Sequence, residues 1–267
     1  DIDNGSPAYR YVLENIQGTK SGGILIGGGH GIKVNGLEIH DATNFGLRVQ
    51  GSVSSITASD LWVSSSTGLS LIEIGGDSQI QLNNVKLIGV GGTPTGLSII
   101  DNSVVDASNI RISNCDFGID ISSTKPATLN GIVCESIDRE AINVSSHNHS
   151  FSDVVCRDCG NTGAADLSVC HLNGNGIMFA NIRIDTYRAS ANARAIRIRG
   201  DDTSIDHFFI SGGLGTTPKG IGVATGVSGI RLSNGYIEDM DGEAITTGSG
   251  SCLLYTSPSP RDLSTSR

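Results

Sequence analysis

The sequence predicts an all-β solenoid: a parallel β-helix of nine to ten coils, each built from three short strands. Three observations predict it. A six-residue pattern recurs along the chain, in the order apolar, two residues, apolar, one residue, apolar. A second pattern, a small residue followed by apolar, any, apolar, comes after each copy. Successive copies lie about 22 to 29 residues apart, inside the 20–50 window of stacked repeats.

The first pattern reads VNGLEI (34–39), ASDLWV (58–63), LNNVKL (82–87), ASNIRI (107–112), LNGIVC (129–134), FSDVVC (151–156), FANIRI (179–184), IDHFFI (205–210) and LSNGYI (232–237). Period-2 alternation of β-branched residues marks short strands with one buried face. The three-residue step inside the hexad breaks that alternation, so the chain must turn there without losing its inward face. One residue in the left-handed region achieves this, and Gly, Asn, Asp and His tolerate that region best. The third hexad place reads Gly36, Asp60, Asn84, Asn109, Gly131, Asp153, Asn181, His207 and Asn234, and every one belongs to that set. The Asp206–His207 step, which looks like half of a catalytic site, therefore falls at a turn: His207 in the turn column and Asp206 at the outward place before it. The second pattern supplies the third strand of each coil, as in GLRV (46–49), GLSL (68–71), GLSI (96–99), GIDI (118–121), AINV (141–144), AIRI (195–198) and GIGV (220–223).

These hexads, with Asn frequent at the turn, resemble the right-handed parallel β-helix of the pectate-lyase-like superfamily over residues 10 to 250. That superfamily includes polysaccharide lyases and hydrolases and phage tail-spike-like proteins. The signatures of its best-known enzymes are not reproduced. GHG (29–31) and DD (201–202) occur in polygalacturonases in the reverse order, and neither NTD, RIK nor Arg-x-Pro-x-x-Arg is present.

From Cys252 the text CLLYTSPSPRDLSTSR departs from everything before it, and Cys252–Asp262 reads as a translated transposase-type sequencing adapter. The expectation is one β-helix domain over 1–251, incomplete at both ends and drawn from a shotgun (metagenomic) assembly, with a non-native tail over 252–267. Of the other cysteines, Cys134 and Cys156 share one inward column between Ile112 and Ile184, where small apolar residues belong. Cys156 and Cys159 spell a CxxC, with Cys156 expected in the core and Cys159 in a loop. With no second CxxC and no ligand-spaced His pair, a zinc site is not expected.

The formal charge of −9 excludes a non-specific nucleic-acid binder, which needs clustered Lys and Arg. No apolar run reaches the roughly 18 residues of a membrane-spanning helix. Solenoids bind through the outward residues of one face and the loops beside it. Here the longest loops are 88–95, 157–165, 185–194 and 211–219, expected to wall a groove. The outward place of the third strand reads Arg48, Ser70, Ser98, Asp120, Asn143, Ser168, Arg197, Gly222 and Thr246. Around its middle lie Asp116, Asp138, Arg139, Glu140, Asp166, Arg194, Arg199, Asp201 and Asp202.

Such a carboxylate–arginine cluster suits an acidic polysaccharide, and equally a solvated charged face. Hydrolysis needs two carboxyls about 5–5.5 Å or 6.5–9.5 Å apart, which Asp120 with Asp138, Glu140 or Asp166 could supply. A lyase would use Arg197 or Arg139 as base, with calcium held by carboxylates; no other cofactor is required. The catalytic candidates are Asp120, Glu140, Asp166 and Arg197, and the substrate-binding candidates Arg48, Trp62, Asp138, Arg139, Asn143 and Arg199. Two readings stand: an extracellular glycan-active enzyme, or a non-catalytic receptor-binding or structural β-helix of a tail spike or surface adhesin. The second places the protein on a virion or cell surface and implies a homotrimer. Few aromatic residues weigh against the enzyme, and a Gly/Ser/Asn/Thr-rich surface favours the spike.

Overall fold

The computed structural model describes residues 11–20, 22–65, 70–90, 94–160, 168–185, 188–189, 194–212, 214–215, 218–240 and 242–256. Among them there is no helix; every strand pairing is parallel, and the strands stack as a β-solenoid of about nine turns. One sheet has 14 strands. Its path runs Val12–Glu14, Gly29–Asn35, Val53–Ser65, Gln79–Gly89, Val104–Ser113, Ala127–Glu135, Ser150–Arg157, Met178–Asp185, Ser204–Ser211, Ile230–Ser233 and Leu253–Thr256. The other has 10 strands, from Ile24–Ile26 at one end to Ile245–Thr247 at the other.

The turn column decides the shape of the first sheet. All nine sequence-predicted positions adopt positive φ, from 52° at Asn234 to 65° at Gly36. Asn15, at 53°, extends the column by one coil. The chain bends there without interrupting its hydrogen bonding. In most coils the strands before and after the bend are therefore one continuous strand, and the three expected strands become three faces carried by two sheets. Side chains in the column join coil to coil: Asn84 Nδ2 donates to Asp60 Oδ1, Asn109 Nδ2 to Asn84 Oδ1 at 3.1 Å, and Asn181 Nδ2 to Asp153 Oδ1 at 2.9 Å. Asp206 belongs to this ladder. It accepts from Ser233 Oγ at 2.7 Å and Asn234 Nδ2 at 2.8 Å, and lies 2.8 Å from His207 Nδ1. These donors hold its carboxyl down at about 2. The Asp–His step is a coil-to-coil tie.

A second left-handed column, absent from the sequence reading, lies five residues further on: Lys20, Asp41, Asn114, Ser136, Asp158, Gly212 and Asp239. It ends the second segment of the bent strand. Val53–Ser65 and Gln79–Gly89 run straight through that place, and they are the longest strands.

Inward residues form continuous columns. Val63, Leu87, Ile112, Cys134, Cys156, Ile184 and Ile210 stack in register on the bent sheet. Leu47, Ile72, Leu97, Ile119, Ile142, Cys170, Ile196 and Ile221 face them from the second. Phe151 and Phe179 stack with centroids 4.5 Å apart. Gly235 is required by its neighbour, since a Cβ there would lie 1.8 Å from the Phe208 ring, which occupies that volume from the preceding coil. Cys159, expected in a loop, does sit in one, but the turn folds its thiol inward and it is buried like Cys156. Two outer loops pair with each other through Arg188–Ala189 and Leu214–Gly215. Leu253–Thr256 pairs in parallel with Ile230–Ser233.

Candidate functional site

The outward row of the second sheet reads Arg48, Glu73, Ser98, Asp120, Asn143, His171, Arg197, Gly222 and Thr246. Two places differ from the sequence reading. Glu73 replaces Ser70 and His171 replaces Ser168, because the inward pairs are Ile72/Ile74 and Cys170/Leu172. In both coils the apolar–any–apolar triplet directly before the turn forms the strand centre. Ser70 and Ser168 lie two residues outside it and are buried. The triplet's position against the following Gly or Asn turn was the signal available in the sequence.

Contacts divide the row into local groups. Arg48 Nη2 donates to Glu73 Oε2 at 2.9 Å, and its guanidinium covers the Phe45 ring at 4.7 Å. Asn143 Nδ2 donates to Asp120 Oδ1 at 2.8 Å. Gly222 leaves room for the Arg194 side chain: a Cβ there would come within 2.3 Å of Arg194 Cδ and Nε. Beyond it, Lys219 Nζ binds Glu243 Oε2 at 2.7 Å, which lowers the Glu243 carboxyl.

The most unusual group lies beside Asp120, where two successive coils enter the second sheet. Glu140 is only 6 % exposed, and its Oε2 atom is buried with no hydrogen-bond partner. Arg139 Nε approaches that oxygen at 3.8 Å, and Arg139 Nη1 reaches Asp116 Oδ2 at 3.9 Å. The same guanidinium lies 4.3 Å over the Phe117 ring, which holds it between the two carboxyls. Burial raises the Glu140 carboxyl above the usual carboxylate range; Arg139 opposes this, and Asp116 and Asp120 add to it. Asp116 is also raised, by burial first, with Arg139 opposing and Asp138 reinforcing. Glu140 and Asp116 thus share one guanidinium, with Asp120 close enough to add to the Glu140 shift.

The structure thus brings Asp120, Asn143, Asp138, Arg139 and Glu140 into one neighbourhood. Arg197 stands two coils further along the outward row and Arg48 three coils the other way. Arg199 is exposed just past Arg194–Ile198. Asp166 lies outside the described residues, as do 91–93, 161–165, 186–187, 190–193, 213 and 216–217 of the expected groove loops. Trp62 is elsewhere: it occupies the outward row of the bent sheet, in register with Glu38 and Lys86. No three described His, Cys, Asp or Glu side chains gather where they could hold a metal ion.

A second concavity runs outside the turn-column bend. Near one end a groove of roughly 420 Å³ has Asp153, Asn181, His207 and Asn234 along its base and Val155, Arg183 and Phe209 on its wall. Arg183 covers Phe209 at 4.7 Å, and Phe209 stacks on Tyr236 at 5.9 Å. Near the other end a hollow of about 290 Å³ includes Asp60 and Trp62, with Lys86 4.2 Å over the indole.

No family model, no curated protein and no solved structure matches the chain. Fold and site therefore define its class by themselves: a parallel β-solenoid carrying a bridged carboxyl pair on one outward face.

Proposed function

We propose that this chain interacts with an acidic polysaccharide along the outward face of the second sheet and cleaves it by hydrolysis. One observation carries the reading: the buried Glu140 carboxyl, its Oε2 without a hydrogen-bond partner, beside Arg139, Asp116 and Asp120. In a pair of this kind one carboxyl delivers a proton to the leaving glycosidic oxygen while the other activates water, and burial shifts Glu140 in the direction that suits the acid. Asp120, oriented by Asn143, is assigned the second role. Arg48, Arg139 and Arg197 supply cations for acidic sugars, and a substrate of this kind places the protein outside the cell.

The test is incubation with polygalacturonate, alginate and hyaluronan, scoring new reducing ends. Wild type should release them from one polymer, and Glu140→Gln should lose about 100-fold or more of the rate while still binding. Asp120→Ala and Arg197→Ala should weaken binding with the fold intact. Equal rates for wild type and Glu140→Gln would remove Glu140 from the chemistry, and unchanged binding in both other variants would move the ligand off this face.

A second reading is favoured by the two separate hollows outside the bend. Trp62, 38 % exposed, lines one under Lys86; Phe209 under Arg183 lines the other, stacked on Tyr236, which is 54 % exposed. These are contacts for a glycan or a partner chain without catalysis, as in a trimeric spike. Binding without release of reducing ends, weakened by Trp62→Ala or Tyr236→Ala, would select it.

A further inference from the structure

Three thiols meet inside the core. Cys134 on Ala127–Glu135 and Cys156 on Ser150–Arg157 are direct register partners in adjacent coils. Cys170, on Ser168–Leu172, comes from the opposite sheet, in register with Ile142 and Ile196. Each is 0 % exposed, and the Cys134 thiol donates to Ala141 O at 3.7 Å. Cys159 lies next to them, its Sγ donating to Arg157 O at 3.2 Å and Cys134 O at 3.7 Å. Along both inward columns the other described coils place Val, Leu or Ile at these positions. The cysteines are concentrated in these neighbouring coils.

Facing residues of neighbouring parallel strands sit about 4.8 Å apart, inside the 4.4–6.8 Å Cα separation that a disulfide spans. Cys134 and Cys156 share a column and an inward direction, so a bond between them leaves the coils where they are. We propose that Cys134 and Cys156 are an oxidation site: exposed to a small disulfide oxidant such as glutathione disulfide, they form a covalent tie between successive coils. The Cys156 thiolate attacks one sulfur of glutathione disulfide and expels a glutathione thiolate. The Cys134 thiolate then attacks Cys156 Sγ and expels the second. Two protein thiols lose two protons and two electrons, and one glutathione disulfide becomes two glutathione thiols.

The finished interior excludes glutathione. The reaction therefore belongs to folding, when the Ala127–Glu135 and Ser150–Arg157 coils have paired and the next has not closed over them, as stepwise solenoid assembly allows.

The test refolds the full denatured chain in a mixture of reduced and oxidised glutathione, alkylates free thiols with iodoacetamide and maps peptides by mass spectrometry. Tryptic cleavage after Arg139 and Arg157 puts Cys134, Cys156 and Cys170 on three separate peptides. The expected product links Cys134 to Cys156 and leaves Cys170 alkylated. Its thermal midpoint should fall by several degrees when a reductant is added. Cys170→Ala should keep the linkage and Cys134→Val should lose it. Full alkylation of every cysteine in the refolded wild type would overturn the proposal, as would a Cys156–Cys170 linkage with Cys134 free. Cys170→Ala decides the matter should Cys134→Val fail to fold.

Discussion

His149 shows how a polar side chain can be fixed in a solenoid interior. It is 0 % exposed, and Ala127 N donates to its Nδ1 at 3.1 Å. The neutral ring must therefore carry its proton on Nε2, which donates to Ser146 Oγ at 2.8 Å. Protonation would place a second hydrogen against the Ala127 amide. Burial, helped by nearby His147, accordingly lowers its pKa from 6.5 to about 4. Between those values the unfolded chain binds a proton that the folded chain refuses, so stability falls as pH drops from about 6.5 to 4 and levels off below. The loss amounts to up to about 3 kcal/mol. Urea unfolding of wild type and His149→Gln at a series of pH values should show wild type losing more stability across this window. Parallel profiles would show that His149 titrates alike in both states. Neither His149 nor Glu140 stood out in the sequence in these terms: the burial of each is produced by residues of neighbouring coils, which no spacing within its own coil encodes.

At the level of the element, the bend was legible because it depends on one torsion angle. Only a few residue types tolerate positive φ, so the column from Gly36 to Asn234 could be read from residue identity. The second column was hidden because Lys20 and Ser136 occupy it, and neither is a usual left-handed residue. There the pairing of adjacent coils imposes the conformation against local preference. The third strand was misread in two coils because SLIEI and SVCHL each offer two alternating frames, and only the position of the turn selects one. Asn84 separates the two contributions to the bend, its φ of 54° and its hydrogen bonds to Asp60 and Asn109. Asn84→Gly removes the side-chain bonds but keeps the torsion easy. Asn84→Ala removes the bonds and also carries a left-handed penalty of about 1–2 kcal/mol. Chemical denaturation should therefore rank Asn84→Ala below Asn84→Gly by roughly 1 kcal/mol. Equal losses would mean that the ladder, and not the backbone, fixes the bend.

Across the whole molecule, each coil is held only by the coils on either side, through parallel ladders and inward columns. Stability in such an array sums nearest-neighbour interfaces, so a coil with neighbours on both sides opens less often than one with a single neighbour. Ala127–Glu135 and Ser150–Arg157 are sandwiched deep in the stack. They carry Cys134 and Cys156, and the turn after the first of them carries Arg139 and Glu140. Burying one carboxyl oxygen, Glu140 Oε2, without a hydrogen bond costs on the order of 1–3 kcal/mol, a cost better tolerated mid-stack than in a fraying coil. Opening free energies should therefore be graded along the axis. Hydrogen exchange read by mass spectrometry should show the slowest amides in Val104–Ser113, Ala127–Glu135 and Ser150–Arg157. Exchange should quicken toward Val12–Glu14 at one end and Ile245–Thr247 and Leu253–Thr256 at the other. Raising denaturant should erase protection from the ends inward, with the coils around Glu140 surviving longest. Uniform protection that collapses in one step would show that the stack opens as a unit, and the placement of Glu140 would then need an explanation other than the support of its neighbouring coils.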